Sequence, residues 1–123
     1  MARIAQGVLR PTALWFGAAL ALMTGPCTIV PALSQESTEL ILTVKDHKFD
    51  PAKLEAPAGK PIALRIKNLD PTPMEFESNS LRVEKVLTGN GEAVVNIRPQ
   101  KAGQYEFFDD FHASTTKGIL VVK

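Results

Sequence analysis

From Glu39 onward, apolar and polar residues alternate with a period of two, in short runs separated by turn residues. Leu40, Leu42 and Val44 alternate with Ile41, Thr43 and Lys45, and the run ends at Asp46-His47-Lys48-Phe49, with Asp50-Pro51 marking a turn. Leu54-Glu55-Ala56 is a short extended piece closed by Pro57-Ala58-Gly59. Ile62, Leu64 and Ile66 then alternate with Ala63, Arg65 and Lys67, as expected of a strand with one buried and one wet face. The stretch Asn68 to Pro73 reads as loop, because each proline drives its predecessor out of the helical region. Met74 to Ser80 is ambiguous, with Phe76 as its core anchor. Leu81, Val83 and Lys85 alternate with Arg82, Glu84 and Val86 in a strand whose apolar face is not clean. Gly89-Asn90-Gly91 is a strong turn signal. Ala93, Val95 and Ile97 line one face of the next strand. After the Pro99–Gly103 turn, Tyr105 and Phe107 share one face of a strand and Glu106 and Phe108 the other. A short loop carrying Asp109, Asp110 and His112 follows, and the apolar run Ile119 to Val122 closes the chain.

The pattern predicts an all-β domain over residues 40–123: an antiparallel Greek-key β-sandwich of about seven to eight strands, with no amphipathic helix longer than a turn or two. Its expected core is Leu64, Ile66, Phe76, Val95, Ile97, Tyr105, Phe107 and Val121. The loop holding Asp109, Asp110 and His112 stands between two strands at one end of the sandwich, where a rigid scaffold presents binding chemistry.

The first 34 residues follow a different pattern. Arg3 and Arg10 give a positive start, Thr12 to Met23 is apolar after its first residue, and Gly25-Pro26 would end a helix. Ala32 and Ser34 have the spacing of a signal-peptidase site. Residues 1–34 are therefore expected to be a cleaved signal peptide and 35–39 a flexible leader, with a new N-terminus at Gln35 and export to the periplasm. The apolar run falls short of the roughly 20 residues of a spanning helix, which makes an uncleaved anchor the lesser reading. Pro26 directly before Cys27 makes a poor lipidation signal.

Cleavage changes the charge. The full chain has 14 basic and 13 acidic residues; losing Arg3 and Arg10 leaves 12 basic against 13 acidic, a formal charge of −1. No basic stripe or patch is visible, so nothing argues for nucleic-acid binding. Cys27, the chain's one cysteine, leaves with the signal, and the exported domain has neither a disulfide nor a thiolate ligand.

Four segments resemble the cupredoxins: Phe49-Asp50-Pro51 with Leu54 and Pro57-Ala58-Gly59; Ile62 to Asn68; Gly103 to Phe108; and Lys117-Gly118 with the apolar tail. In that family a histidine follows the asparagine by six residues, where this chain has Met74. The ligand cysteine follows the aromatic end of the penultimate strand, where Asp109 stands. The second histidine comes three residues later and is matched by His112. The axial methionine falls near Thr116 or Lys117. Without thiolate, the resemblance excludes a blue-copper centre, which is defined by its copper–sulfur bond. The segments Pro73 to Ser78, Leu81 to Lys85 and Phe107 to His112 look like the cysteine-less EfeO-type cupredoxin-like proteins of ferrous-iron permease systems. That resemblance implies a periplasmic accessory in iron uptake, binding iron or copper, with a periplasmic metal-binding protein and an inner-membrane iron permease as partners.

The candidate metal ligands are His112, Asp109, Met74, Glu75, Glu77 and Asp110. Carboxylates with an imidazole suit iron or divalent copper, while the Met74 thioether prefers monovalent copper. Such a set would hold ferrous iron loosely and favour its oxidation by stabilising the ferric state. The bland alternatives are solvated loop acids, a His112 hydrogen-bonded within its own loop, and Met74 as core filler. His47 reads as a surface histidine near a turn, and Phe107, Phe108 and Phe111 as core and loop-packing residues. Ser114 near His112 is weak grounds for hydrolysis. The competing function is a metal-free sandwich whose loop end docks on a partner.

Overall fold

The computed structural model describes residues 35–123, together with residues 12, 17, 25, 26 and 28–31. The signal peptide expected over 1–34 lies, apart from those few positions, outside the described residues. The unit Leu33–Lys123 contains nine strands among its described residues: β1 (Thr38–Lys45), β2 (Lys48–Asp50), β3 (Lys53–Ala56), β4 (Ile62–Asn68), β5 (Met74–Ser78), β6 (Val83–Leu87), β7 (Glu92–Ile97), β8 (Gly103–Asp109) and β9 (Lys117–Val122). A single 3₁₀ turn, Asp110–His112, stands between β8 and β9.

The strands form two sheets, one in the order β2-β1-β4-β7 and the other β3-β9-β8-β5-β6. The expected β-sandwich is present. The expectation that it would be wholly antiparallel needs correction, since β1 pairs with β4 and β3 with β9 in parallel. Each parallel pair is joined through strands of the other sheet, the kind of long connection that parallel neighbours require. The ambiguous stretch after Pro73 is strand β5, paired with both β6 and β8.

Alternation fixes which face goes inward. Ile62, Leu64 and Ile66 of β4 are buried, as are Leu42 and Val44 of β1, Met74 and Phe76 of β5, and Val95 and Ile97 of β7. Tyr105 is partly buried against this core. Val121 is not a core residue; Leu120 and Val122 are. The reason is register: Tyr105 pairs with Leu120 and Phe107 with Gly118, so the inward face of β8 selects the even-numbered residues of β9. A Cβ on Gly118 would collide with the Phe107 ring and lie 2.9 Å from the Ala52 carbonyl oxygen, so only glycine lets β9 lie against β8 here.

Three aromatic rings lie within the core near the end of β8. Phe49 and Phe107 meet edge-on with centroids 5.1 Å apart, and Phe76 and Phe107 lie 5.3 Å apart. Pairs of this kind contribute about 0.5–1.5 kcal/mol beyond the area they bury. They make a stiff base for Asp109, which pairs with Phe76 across β5 and β8. Phe111 is 48% exposed and packs no core, unlike Phe107.

Candidate metal centre

The site is built outward from Asp109, the last residue of β8. Its side chain is fully buried. One carboxylate oxygen accepts the backbone N–H of Glu75 on the neighbouring strand at 3.0 Å and that of Phe111 at 3.1 Å. The second bond caps the 3₁₀ turn, satisfying a donor that the turn itself cannot. The other oxygen accepts from Nδ1 of His112 at 2.8 Å. A buried carboxylate must be paired and hydrogen-bonded to remain charged, and Asp109 has its partners from three directions. Its oxygens are committed to holding the loop and orienting the imidazole. The loop also closes on itself, with the N–H groups of Thr115 and Thr116 donating to the His112 carbonyl and that of Asp109 to the Thr116 carbonyl.

A second carboxylate holds a second histidine. Asp46 and His47 are the two loop residues of the β1–β2 hairpin, with φ of 51° and 56°. That is the backbone of a type I′ turn, which fits the twist of a hairpin but is usually filled by Asn-Gly. Asp and His are among the non-glycine residues that tolerate positive φ best. The turn is tied down by Asp70, whose carboxylate accepts the N–H of Asp46 at 2.7 Å and of His47 at 3.0 Å. These two backbone donors, with His47's charge a smaller influence, hold the Asp70 carboxyl below the usual carboxylate range despite its burial. Asp70 is itself positioned by Asn68, buried at the end of β4, whose side chain accepts the Asp70 N–H and donates to the carbonyls of Thr72 and Thr88. The buried Thr116 hydroxyl donates to the His47 carbonyl from the other side.

The two histidines meet. The rings of His47 and His112 stack with centroids 3.9 Å apart and planes inclined by 28°. Nδ1 of His47 lies 3.5 Å from an Asp70 oxygen, as Nδ1 of His112 lies against Asp109. Their side chains are 43% and 30% exposed. His47 is, as expected, a part-exposed histidine at a turn; the stacking of its ring on His112 is what the sequence did not show. The Asp46-His47 pair between two strand runs signals a tight hairpin with His47 at its tip. No local pattern says that the tip reaches His112.

The other candidates divide. Met74 is a core residue, 2% exposed, facing inward from β5. Glu75 and Glu77 point to the opposite face of that strand, where Glu77 pairs with Glu84 of β6. The Glu75 carboxyl is pushed up from its usual value by a hydrogen bond shared with Glu84, and further by the charges of Glu84, Asp110 and Glu77. These four acids form a neighbourhood on the outer face of the second sheet. Glu75 meets Asp109 through its backbone. Among the described residues, no three His, Cys, Asp or Glu side chains come together as a metal cage. The blue-copper ligand set does not fit this chain: Asp109 is consumed in hydrogen bonds, Met74 belongs to the core, and Thr116 is bonded to His47.

Residues 13–122 match the cupredoxin-like domain family. The chain belongs to that family. An uncharacterized protein of Rickettsia prowazekii is 42% identical over 84 residues, covering 68% of this chain and 67% of the relative. Among solved structures, the metal-binding domain of a Cu(I)-exporting P-type ATPase of Streptococcus pneumoniae, determined with Cu(I), superposes with a TM-score of 0.63 at 19% identity. It covers 73% of this chain and 91% of that one. Auracyanin A, a blue copper protein of Chloroflexus aurantiacus, superposes with a TM-score of 0.62 at 16% identity, covering 72% of this chain and all of its own. At these identities the likeness is one of fold, and this cupredoxin-like domain is related in architecture to copper-binding proteins.

Proposed function

We propose that this cupredoxin-like protein is an exported, periplasmic metal-handling accessory that binds copper or iron at the His112 end of the sandwich and serves ferrous-iron uptake. One observation carries the reading: a buried, fully bonded carboxylate, Asp109, holds the imidazole of His112 by Nδ1. Metal-binding histidines are characteristically oriented in this way, because the carboxylate fixes the tautomer and leaves Nε2 as the donor atom. The copper-binding proteins of the same fold support copper. Iron, the permease and the periplasmic partner rest on the resemblance to the EfeO-type proteins, and export rests on the N-terminal pattern. Asp109 acts in this reading as the residue that positions His112. Glu75, Glu77 and Asp110 supply negative potential beside the site, and Met74 supports it from the core.

Expression of the full chain in a Gram-negative host tests both parts. Mass spectrometry of the periplasmic protein should show a chain beginning near Gln35. Elemental analysis after mild dialysis against Cu(II) or Fe(II) should find about one metal per chain, and His112→Gln should abolish it. A wild-type protein that retains neither metal would leave the second reading, a metal-free docking module. What favours that reading is the lack, among the described residues, of a three-ligand cage.

A further inference from the structure

We infer that His47 and His112 together form a two-imidazole site for one borderline divalent cation, with Cu(II) as its best fit; this deepens the metal-handling reading and rests on it. The first observation is conformational. Two consecutive non-glycine residues at positive φ cost about 1 kcal/mol or more each, and strain of this kind persists only where surrounding structure enforces it. Here Asp70 holds both N–H groups of the turn and Thr116 holds its carbonyl. The outcome of that enforcement is that the His47 ring lies on the ring of His112.

The second observation is chemical. Each imidazole turns Nδ1 toward its own carboxylate, His47 toward Asp70 and His112 toward Asp109. A carboxylate only accepts, so a neutral His112 ring carries its proton on Nδ1 and its lone pair on Nε2, and Asp70, 3.5 Å from Nδ1 of His47, favours the same tautomer there. Among the described residues no hydrogen bond is made to either Nε2, and both rings are partly open to solvent. Two imidazoles from segments far apart in the chain are thus brought together, each with its Nδ1 turned to a carboxylate.

The stacking selects the cation. Two imidazoles that bind one ion from opposite sides hold their centroids about 6 Å apart, given metal–nitrogen bonds of about 2 Å. Centroids at 3.9 Å exclude that linear arrangement and with it two-coordinate Cu(I). As neighbouring donors to one ion, with bonds of about 2 Å at a right angle, the rings would open slightly from the stack to centroids about 4.5 Å apart. That arrangement suits the tetragonal N,O geometry of Cu(II), which also stands highest among the first-row divalent ions for such donors. With two protein ligands and the remaining positions left to water or to a donor from a partner, the ion is exchangeable. That suits a protein that passes metal on.

The experiment uses the full exported chain and Cu(II) in a weakly chelating glycine buffer. Affinity is read by competition, and nitrogen coordination by electron paramagnetic resonance. His47→Asn keeps a residue that tolerates positive φ and removes the ligand; His112→Gln removes the other. Each should weaken Cu(II) binding at least tenfold, and the two-nitrogen hyperfine pattern should collapse to one. Wild-type affinity in His47→Asn with loss in His112→Gln would overturn the paired site and leave the metal-handling reading standing. Wild-type affinity in both would remove the site from this end of the sandwich altogether. A further measurement needs no variant. Substoichiometric Cu(II) should broaden the ring proton signals of both histidines together, and broadening of the His112 ring alone would refute the pair.

Discussion

The hydroxyl of Thr116, near where the family resemblance sets the axial methionine, donates to the backbone carbonyl of His47. Thr116 is fully buried. The bond joins the loop after the 3₁₀ turn to the tip of the first hairpin, so the two histidine loops are held by one another as well as by their carboxylates. Thr116→Val keeps the shape and deletes the donor. It should cost about 1–2 kcal/mol, the range for a lost hydrogen bond that leaves its partner short of a donor. Urea denaturation checks the value, and an unchanged midpoint would show that the bond contributes nothing.

Asp109→Ala should be the more damaging change. It would orphan the N–H groups of Glu75 and Phe111 and the Nδ1–H of His112 at once. Each buried donor left without an acceptor costs about 1–3 kcal/mol, and three are affected here. Asp109→Asn retains one acceptor oxygen and should cost less. If the two variants prove equally destabilised in chemical denaturation, the charge opposite His112 outweighs the backbone bonds.

Asp70 gives a signed pH dependence. Its carboxyl lies below the usual range in the folded state, because the N–H groups of His47 and Asp46 and the nearby imidazoles favour the anion. A depressed folded-state value means that Asp70's contribution is whole above the ordinary carboxylate pKa and is lost as pH falls through the lowered one. Asp70→Asn should therefore be less stable than the parent at neutral pH, and the gap should shrink in strong acid. Denaturation midpoints of the pair across the acid range test this; a gap that is constant with pH would contradict it.

Glu75 runs the other way. Its carboxyl is raised, chiefly by the bond shared with Glu84. A raised folded-state value means that the repulsion weakens the fold above that value and is relieved as pH falls through it. Glu84→Gln should lower the Glu75 titration midpoint, as followed by carboxyl-carbon NMR. It should also raise stability at neutral pH, with the gain disappearing in acid. A Glu75 midpoint that does not move would mean that Asp110 and Glu77 dominate.

The strands were legible where one face is apolar and the other polar. Ile62, Leu64 and Ile66 against Ala63, Arg65 and Lys67 leave only one way to bury β4. The phase of β9 was not legible, because Ile119-Leu120-Val121-Val122 is apolar throughout, and a one-residue slip exchanges the faces. Pairing with β8 decides it. The parallel pairings were also hidden, since an alternating run does not say which way its neighbour points. In the site, the Asp109–His112 bond spans a single loop, within reach of local reading. The His47 half depends on Asn68 ordering Asp70, and on Asp70 ordering a hairpin from another part of the chain. Information of that kind exists only in three dimensions.

The position of β9 between β3 and β8 governs when the domain can exist at all. β3 and β9 are far apart in the sequence, with five strands between them. Until Lys117–Val122 is in place, β3 has no neighbour in its sheet and the Phe107 ring, though packed against Phe49 and Phe76, lacks the cover of Gly118. Contacts between segments this distant must also meet the entropy of closing a long loop before they stabilise anything. Closure of the second sheet is therefore a late event in folding, and any fragment that stops short of β9 leaves β3 as an unpaired strand.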